Sequence, residues 1–117
     1  MSPSPSPHTE GSPNDLLLVY LTHPGESKAR KLARILLEKK LIACANIFPQ
    51  GTSLYTWEGK ICEEREWVSI LKTDRARFPK LQELIKSLHP YDCPCILALP
   101  IAKAYGPYGD WLRSCLS

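Results

Sequence analysis

The stretch of residues 41–61, LIACANIFPQGTSLYTWEGKI, constrains the fold of this chain more than any other part of it. Its apolar beginning predicts a buried strand. Strand-type residues resume after residues 49–51, which indicates a bulge or bend rather than an end. Glu58 and Gly59 fit a two-residue hairpin turn, because Gly accepts the positive φ that such a turn needs. A strand this long must project beyond the core of so short a chain.

This projecting hairpin, here called the arm, is expected to be an assembly device. A two-stranded arm is only marginally stable in water by itself. It would also carry exposed aromatic side chains, Tyr55 and Trp57, beside unpaired strand edges. Packing against protein is the favoured role of this aromatic pair, ahead of a base-stacking platform. We therefore expect the arm to pack on, or pair with, another copy of the chain.

The remaining core alternates strands with helices. Apolar residues at i, i+3 and i+4 spacing predict the helices, and short apolar or alternating runs predict the strands. The predicted elements are strands at residues 16–22, 41–48 with a continuation from 52, 64–73 and 95–99, helices at 26–40 and 76–88, a Gly/Pro-rich loop at 106–109 and a short C-terminal helix with Trp111. This order predicts an α+β, ferredoxin-like βαββαβ subunit with two helices on one face of a mixed four-stranded sheet.

Two features of the predicted subunit bear on its assembly and its surroundings. Residues 16–22 are apolar on both sides of the predicted strand, so the face away from the helices also needs cover, which favours a homo-oligomer. The basic outer face of the first helix, with Lys28 and Lys31 among others, is expected to be solvated, and a phosphate or RNA site is the alternative. The net charge of +3 is too mild to predict nucleic acid as a partner.

The composition of the chain divides it into a tail and one domain. Residues 1–15 are rich in Ser and Pro and predict a disordered tail, and residues 16–117 predict a single domain. No signal-type segment and no apolar run of roughly 18 residues is present, so we expect a cytoplasmic protein without a membrane span. The five cysteines are then expected to be reduced thiols rather than a disulfide framework.

Three places carry residues suited to metal chemistry. Cys44 lies in Ala-Cys-Ala-Asn, where it is either a small buried hydrophobe or a soft-metal ligand. His89 opens the run His-Pro-Tyr-Asp-Cys-Pro-Cys, which is either a mixed His/Cys metal site or a helix stop followed by a turn. His23 follows the first strand, where a lone histidine is usually solvated or capping.

No nucleophile motif is present, and Glu63, Glu64 and Glu66 are interpreted as surface charge, so no enzyme is predicted.

Four stretches make the chain resemble the CutA family, the divalent-cation tolerance proteins. They are Ala-Cys-Ala-Asn at 43–46, S-x-Y-x-W-x-G-K-I at 53–61, Leu-Lys-Thr at 71–73 and H-P-Y-D-x-P at 89–94. The resemblance extends from residue 16 to about residue 112. It implies a ferredoxin-like subunit in a tight homotrimer, built by long β-arms that extend one subunit's sheet onto the next. The residues alone had left open whether two or three copies assemble.

The resemblance also implies a function and a set of ligands. It implies binding of copper or other divalent metal ions and a role in metal tolerance, with Cys44 and His89 as ligands and no obligate cofactor. Asp92 and His23 are the expected completions of a site near the subunit junctions. The chain departs from the family pattern where some members carry a cysteine at or just after the end of the first strand, and it has Asp92 for the usual Glu and Cys95 for a common acidic residue.

Two other functions fit the same trimer, because a ferredoxin-like fold does not determine function. One is a signalling or scaffold trimer that binds a small anion or a protein segment in clefts between subunits, lined by Tyr91, Lys60 and two glutamates. The other is a structural anchor for a protein partner, a role that the resemblance links to an esterase in some animal members. The residues expected at the trimer contact or cleft are Tyr55, Trp57, Lys60, Tyr91 and Trp111.

Overall fold

The computed structural model describes residues 11–117 and confirms the predicted α+β order of elements, including a C-terminal helix. The elements are β1 (Leu16–His23), α1 (Glu26–Glu38), β2 (Cys44–Trp57), β3 (Lys60–Asp74), α2 (Phe78–Leu88), β4 (Ile96–Pro100) and α3 (Gly106–Leu116).

The strands form one four-stranded sheet in the order β2-β3-β1-β4. All three neighbouring pairs are antiparallel, so the prediction of a mixed sheet is wrong. The reason lies in the topology: β1 and β2 run in the same direction, but β3 is inserted between them, and the two parallel strands never touch.

Helices α1 and α2 cover one face of the sheet. Alternate residues of β1, Val19 and Leu21, point to this face together with Leu71 of β3. They pack against side chains that recur at helical spacing, namely Leu32, Leu36, Leu81 and Ile85. Each of these side chains is almost completely removed from water. Burial of this kind contributes about 1.5–3 kcal/mol for each large aliphatic side chain, so this layer is the main stabilising core.

The β2–β3 hairpin confirms the predicted arm. Its strands pair with each other up to Trp57 and Lys60, whereas β3 joins β1 only from Trp67 onward, so the hairpin beyond that point is two-stranded. The register shifts between Phe48 and Gly51, as the bend at residues 49–51 predicts. The return strand begins at Lys60 rather than at residue 64, because cross-strand pairing continues to the two-residue turn.

Two helix ends and one strand start differ from prediction. Helix α1 ends at Glu38, because Lys40 takes a positive φ of 57° and the Leu41 amide bonds back to the Leu36 carbonyl at 3.0 Å, a Schellman-type stop. Residues 41–43 therefore precede β2 instead of beginning it. Helix α2 begins at Phe78 rather than at residue 76, with Pro79 in its first turn as predicted.

The prediction of a loop at residues 106–109 is wrong, since α3 begins at Gly106. Its proline lies in the first turn, where a missing amide breaks no helical hydrogen bond. Gly109 is buried beside β1, where an added Cβ would be in ordinary contact with Leu16 Cδ1 at 3.7 Å. Leu112 and Leu116 then pack against Leu16 in a second, smaller core.

The segment just before β1 is tied to the turn between β3 and α2. The Asp15 carbonyl accepts a hydrogen bond from the Arg75 amide at 2.9 Å, and the Pro13 carbonyl accepts one from the Ala76 amide at 3.0 Å. The predicted tail extends from residue 1 to residue 15, and residues 1–10 lie outside the described residues. Disorder of that tail stays a prediction, as does the division of the chain at residue 16.

Candidate functional site

Two histidines that are far apart in sequence meet at the end of β1. His23 is the last residue of β1, and His89 follows α2 directly. Their rings stack with centroids 5.5 Å apart, and both side chains are buried. The topology causes this meeting, because β1 and α2 end at the same edge of the subunit.

The hydrogen bonds of His89 define its tautomer. Its Nε2–H donates to the Thr22 carbonyl at 2.7 Å, and its Nδ1 accepts from the Tyr91 amide at 3.1 Å. A carbonyl oxygen can only accept, so the proton of the neutral ring lies on Nε2. Both ring nitrogens of His89 are thereby occupied by backbone groups, and the residue links β1 to the loop after α2.

His23 is neutral at physiological pH. Burial and the neighbouring His89 lower its pKa from 6.5 to about 4, against an opposing effect of Glu66. Its Nε2 hydrogen-bonds the Ser69 hydroxyl at 2.7 Å inside the protein. The prediction of a solvated or capping residue is therefore wrong for His23, whose side chain is only 1% exposed because it faces the helix-covered side of the sheet.

A tyrosine and a glutamate extend this cluster toward the arm. The Tyr91 hydroxyl donates to Glu66 Oε2 at 2.8 Å, and its ring lies 4.8 Å from that of His89. Burial and the hydrogen bond to Glu66 raise the pKa of Tyr91. Glu66 itself is only 9% exposed, so its interpretation as surface charge is wrong. Burial raises the pKa of the nearby Cys95 thiol, and the charges of Glu66 and Cys93 raise it further.

The arm carries a second pair of the same kind. The Tyr55 hydroxyl donates to the Glu64 carboxylate, and this hydrogen bond raises the pKa of Tyr55 to about 12. Tyr55 and Trp57 are both exposed in the single subunit, at 40% and 62%. Lys60 lies across from Trp57 at the turn end of the arm. The predicted cleft residues Lys60 and Tyr91 therefore lie at opposite ends of the arm within one chain.

Cys44 lies at the other end of the sheet. It pairs in register with Lys72, which donates to the Tyr108 hydroxyl at 2.9 Å. The Cys44 thiol is partly exposed, with Sγ 3.9 Å from Asn46 Oδ1 and the Lys72 ammonium as a second neighbour. The thiol is therefore partly accessible within one chain, and the choice between a small buried hydrophobe and a metal ligand stays a prediction for Cys44.

One chain does not bring the four predicted metal ligands together. Lys72 pairs with Leu18 of β1 and Trp67 pairs with His23, so Cys44 lies about 17 Å along the sheet from the two histidines. Asp92 lies in the exposed bend after α2. Among residues 11–117, no group of three or more His, Cys, Asp or Glu side chains is arranged to hold a metal ion.

The sheet face away from α1 and α2 is here called the open face. It carries alternate residues of all four strands, and its apolar members are Leu18, Tyr20, Phe48, Val68, Ile70, Leu97 and Leu99. Leu97 is 57% exposed, Leu99 50% and Phe48 45%. The ring of Trp111, 47% exposed on α3, lies 5.5 Å from that of Tyr108. An apolar surface of this extent marks an interaction site.

Sequence reasoning missed the partners that position the histidines. Ser69 and Glu66 lie on a strand, where successive side chains alternate between the two faces of the sheet. This alternation is the signal in the sequence that could have assigned each of them to its face. The role of the Thr22 carbonyl could not be predicted from the sequence, because every residue has a backbone carbonyl.

The family model for the CutA1 divalent ion tolerance protein matches residues 17–115. The chain belongs to the CutA1 family. It is 48% identical over 96 residues to the divalent-cation tolerance protein CutA of Thermus thermophilus, covering 82% of this chain and 93% of that protein. It is 39% identical to the mouse protein CutA over 95% of this chain but only 64% of the mouse protein, so it spans less than two thirds of that relative.

A solved CutA structure agrees with the fold. The periplasmic divalent cation tolerance protein CutA of Archaeoglobus fulgidus superposes with a TM-score of 0.84 at 37% identity, over 87% of this chain and 99% of that one. The resemblance to the CutA family is thereby confirmed. In the part of this CutA1 chain that the structure describes, no helix has the length and apolar character to cross a membrane.

Proposed function

We propose that this CutA1 chain forms a cytoplasmic, non-catalytic homotrimer that binds copper or another divalent metal ion and serves metal-ion tolerance. Membership of the family supports the tolerance role. The observation that carries the assembly is the open face, with its exposed leucines on the edge strand β4.

The surface that a single subunit leaves in water supports assembly, and three is the number of copies that the family resemblance implies. The open face leaves Leu97, Leu99 and Phe48 about half exposed, and the arm separately exposes Leu54 at 66% and Ile61 at 82% near its turn. A soluble monomer rarely exposes a contiguous surface of this kind. The unpaired edge of β4 offers backbone groups to which the arm of a neighbouring copy can add. Tyr55, Trp57 and Trp111 are then interface residues.

The metal site belongs at a subunit junction. Since Cys44 lies about 17 Å from the histidines within one chain, an ion that uses both must take them from different subunits. Cys44 is the best-supported ligand, because its thiol is accessible and thiolates select copper(I) and zinc. His89 binds metal only by giving up one of its two backbone hydrogen bonds, and Asp92 and His23 complete the site.

An anaerobic copper(I) titration of the assembled protein, with copper(II) and zinc alongside, tests the site. Cys44→Ser should weaken copper(I) binding at least tenfold and leave the oligomer intact. Cys62→Ser, another partly exposed thiol, is the matched control and should bind as the unmodified chain does. Equal affinity for all three proteins would remove Cys44 from the site and make the tolerance role indirect.

Sedimentation of two aspartate variants tests the trimer. Leu97→Asp places a charge on the open face, where assembly would bury it, and should dissociate the oligomer. Leu88→Asp places the same charge at a position of similar exposure, 47%, on the helix-covered side and should leave the oligomer unchanged. Three chains in both variants would refute the assignment of the open face to the interface.

The charge around Tyr91 argues against the anion-binding alternative. Glu66 and Glu64 each accept a hydrogen bond from a tyrosine on this side, so a bound anion would meet two carboxylates. A scaffold role for a protein segment therefore ranks second. Thermal stabilisation by nucleotides in the absence of any metal effect would reverse this ranking.

A further inference from the structure

A cavity of about 150 Å³ lies between α1 and the end of α2, on the helix-covered side of the sheet. The stacked His23 and His89 lie at its buried end. Apolar walls come from Leu32, Ile35 and Leu88. The cavity therefore combines flat rings with an aliphatic wall, and it lies away from the open face that assembly would cover.

The mouth of the cavity is positively charged. Lys28 and Lys31, one turn apart on α1, line it with exposed side chains. Within residues 11–117 neither lysine forms an ion pair, and no carboxylate lines the cavity. Other grooves of the subunit differ in this respect, since the one beside Lys80 includes Glu83.

The two histidines give the buried end of the cavity flat aromatic surfaces, because their rings stack with centroids 5.5 Å apart. The Nδ1 of His89 already accepts a hydrogen bond from the Tyr91 amide. The inner part of the cavity is thus aromatic and aliphatic, and the outer part is cationic.

The volume limits the ligand to one ring. A cavity of about 150 Å³ with aliphatic and aromatic walls accommodates a molecule of the size of benzene. An anionic group on that ring would reach the lysines at the mouth, whereas a second ring would not fit inside.

We propose that this cavity binds a small aromatic carboxylate with a single ring, seated between the aliphatic wall and the histidines, with its carboxylate toward Lys28 and Lys31. This site goes beyond the metal-binding function and needs no metal. The mouth of the cavity at Lys28 and Lys31 lies on the helix-covered side of the sheet, opposite the open face. Its inner end shares His23 and His89 with the proposed metal site, so binding is measured without metal.

Titration of the metal-free, full-length protein with benzoate, followed by amide NMR, tests the proposal. Benzoate should shift the amides around His23, Leu32 and His89 in a saturable manner. Acetate has the charge without the ring, and benzyl alcohol has the ring without the charge. Each should bind at least fivefold more weakly than benzoate, and inorganic phosphate should behave like acetate.

Two double variants distinguish binding of benzoate at this cavity from its general attraction to positive charge on the surface. Replacement of Lys28 and Lys31 by Gln should weaken benzoate binding about four- to twenty-five-fold, given roughly two- to fivefold for each exposed charge. The matched control replaces Lys39 and Lys80, at the other groove, and should change nothing. Absence of saturable shifts, shifts elsewhere, equal binding of acetate or benzyl alcohol, or an equal loss in both variants would each overturn the proposal, whatever the outcome of the copper titration.

Discussion

Acid should destabilise this protein through His23. The unfolded chain keeps the ordinary pKa of 6.5, whereas burial and the adjacent His89 lower the pKa in the folded protein to about 4. Between these two values the unfolded state binds a proton that the folded state rejects. The contribution of neutral His23 to the free energy of unfolding is therefore fully present above pH 6.5 and is lost as the pH falls toward 4.

The size of the loss follows from the gap between the two pKa values. Each pKa unit corresponds to about 1.4 kcal/mol of free energy. Relative to neutral pH, His23 should cost the folded state about 2 kcal/mol per chain at pH 5 and about 3 kcal/mol at pH 4, with little further loss below pH 4. Glu66 already favours the proton in the folded state, and its effect is included in the folded pKa.

His23→Gln is the variant that isolates this effect. Glutamine does not titrate, and its amide can keep a hydrogen bond to the Ser69 hydroxyl that His23 Nε2 contacts. Free energies of unfolding would be measured in guanidinium chloride at one fixed chain concentration, from pH 7 to pH 4. Groups that do not interact with His23 are the same in both proteins, so their contributions cancel in the difference.

The free energy of unfolding of the unmodified protein should fall by about 2 kcal/mol more than that of His23→Gln between pH 7 and pH 5. Parallel curves for the two proteins would show that His23 titrates normally in the folded state, and they would refute the argument from burial. A ring proton titration by NMR with a midpoint near 6.5 would refute it independently.

Further predictions concern the turn, the core and the tyrosine at the base of the arm, all measured by chemical denaturation at fixed chain concentration. Gly59→Ala should cost about 1–2 kcal/mol, because φ is 78° there, while Gly51→Ala, in open space without positive φ, should cost less. Leu36→Ala should cost about 2–5 kcal/mol from the buried helix face, and Leu37→Ala, which is 42% exposed, less than about 1 kcal/mol. Tyr91→Phe should cost about 1–3 kcal/mol, because it leaves a buried carboxylate without its donor, and an unchanged stability would contradict that hydrogen bond.

The arm could be predicted from the sequence because local chemistry determines it. Glu58 and Gly59 both take positive φ, 50° and 78°, in the two-residue turn that the pair of residues indicates. A turn of this length also determines the register of its strands, so the full hairpin follows from one dipeptide and the apolar runs beside it.

The errors occurred where tertiary contacts outweigh local preference. Gly106 and Gly109 are poor helix formers and predict a loop, yet both lie in α3. The packing of Leu112 and Leu116 on Leu16 stabilises the helix, and no local pattern in the sequence indicates this contact. The parallel pairing expected in a mixed sheet failed for a similar reason, since it depends on which strand is inserted between the others.

The candidate site shows the limit of residue type as a guide to chemistry. The pairing of Cys44 with His89 is what the resemblance to the family implies, yet the register of the sheet places the two residues at opposite ends of the sheet within one chain. His89 also uses both ring nitrogens to join β1 to the loop after α2. From the sequence alone, a histidine with this structural role cannot be distinguished from a histidine that binds metal. Only an assembly can unite these groups, so the copper titration of Cys44→Ser tests the quaternary structure as much as the thiol. The cavity beside His23 makes no such demand, because one chain supplies its whole lining.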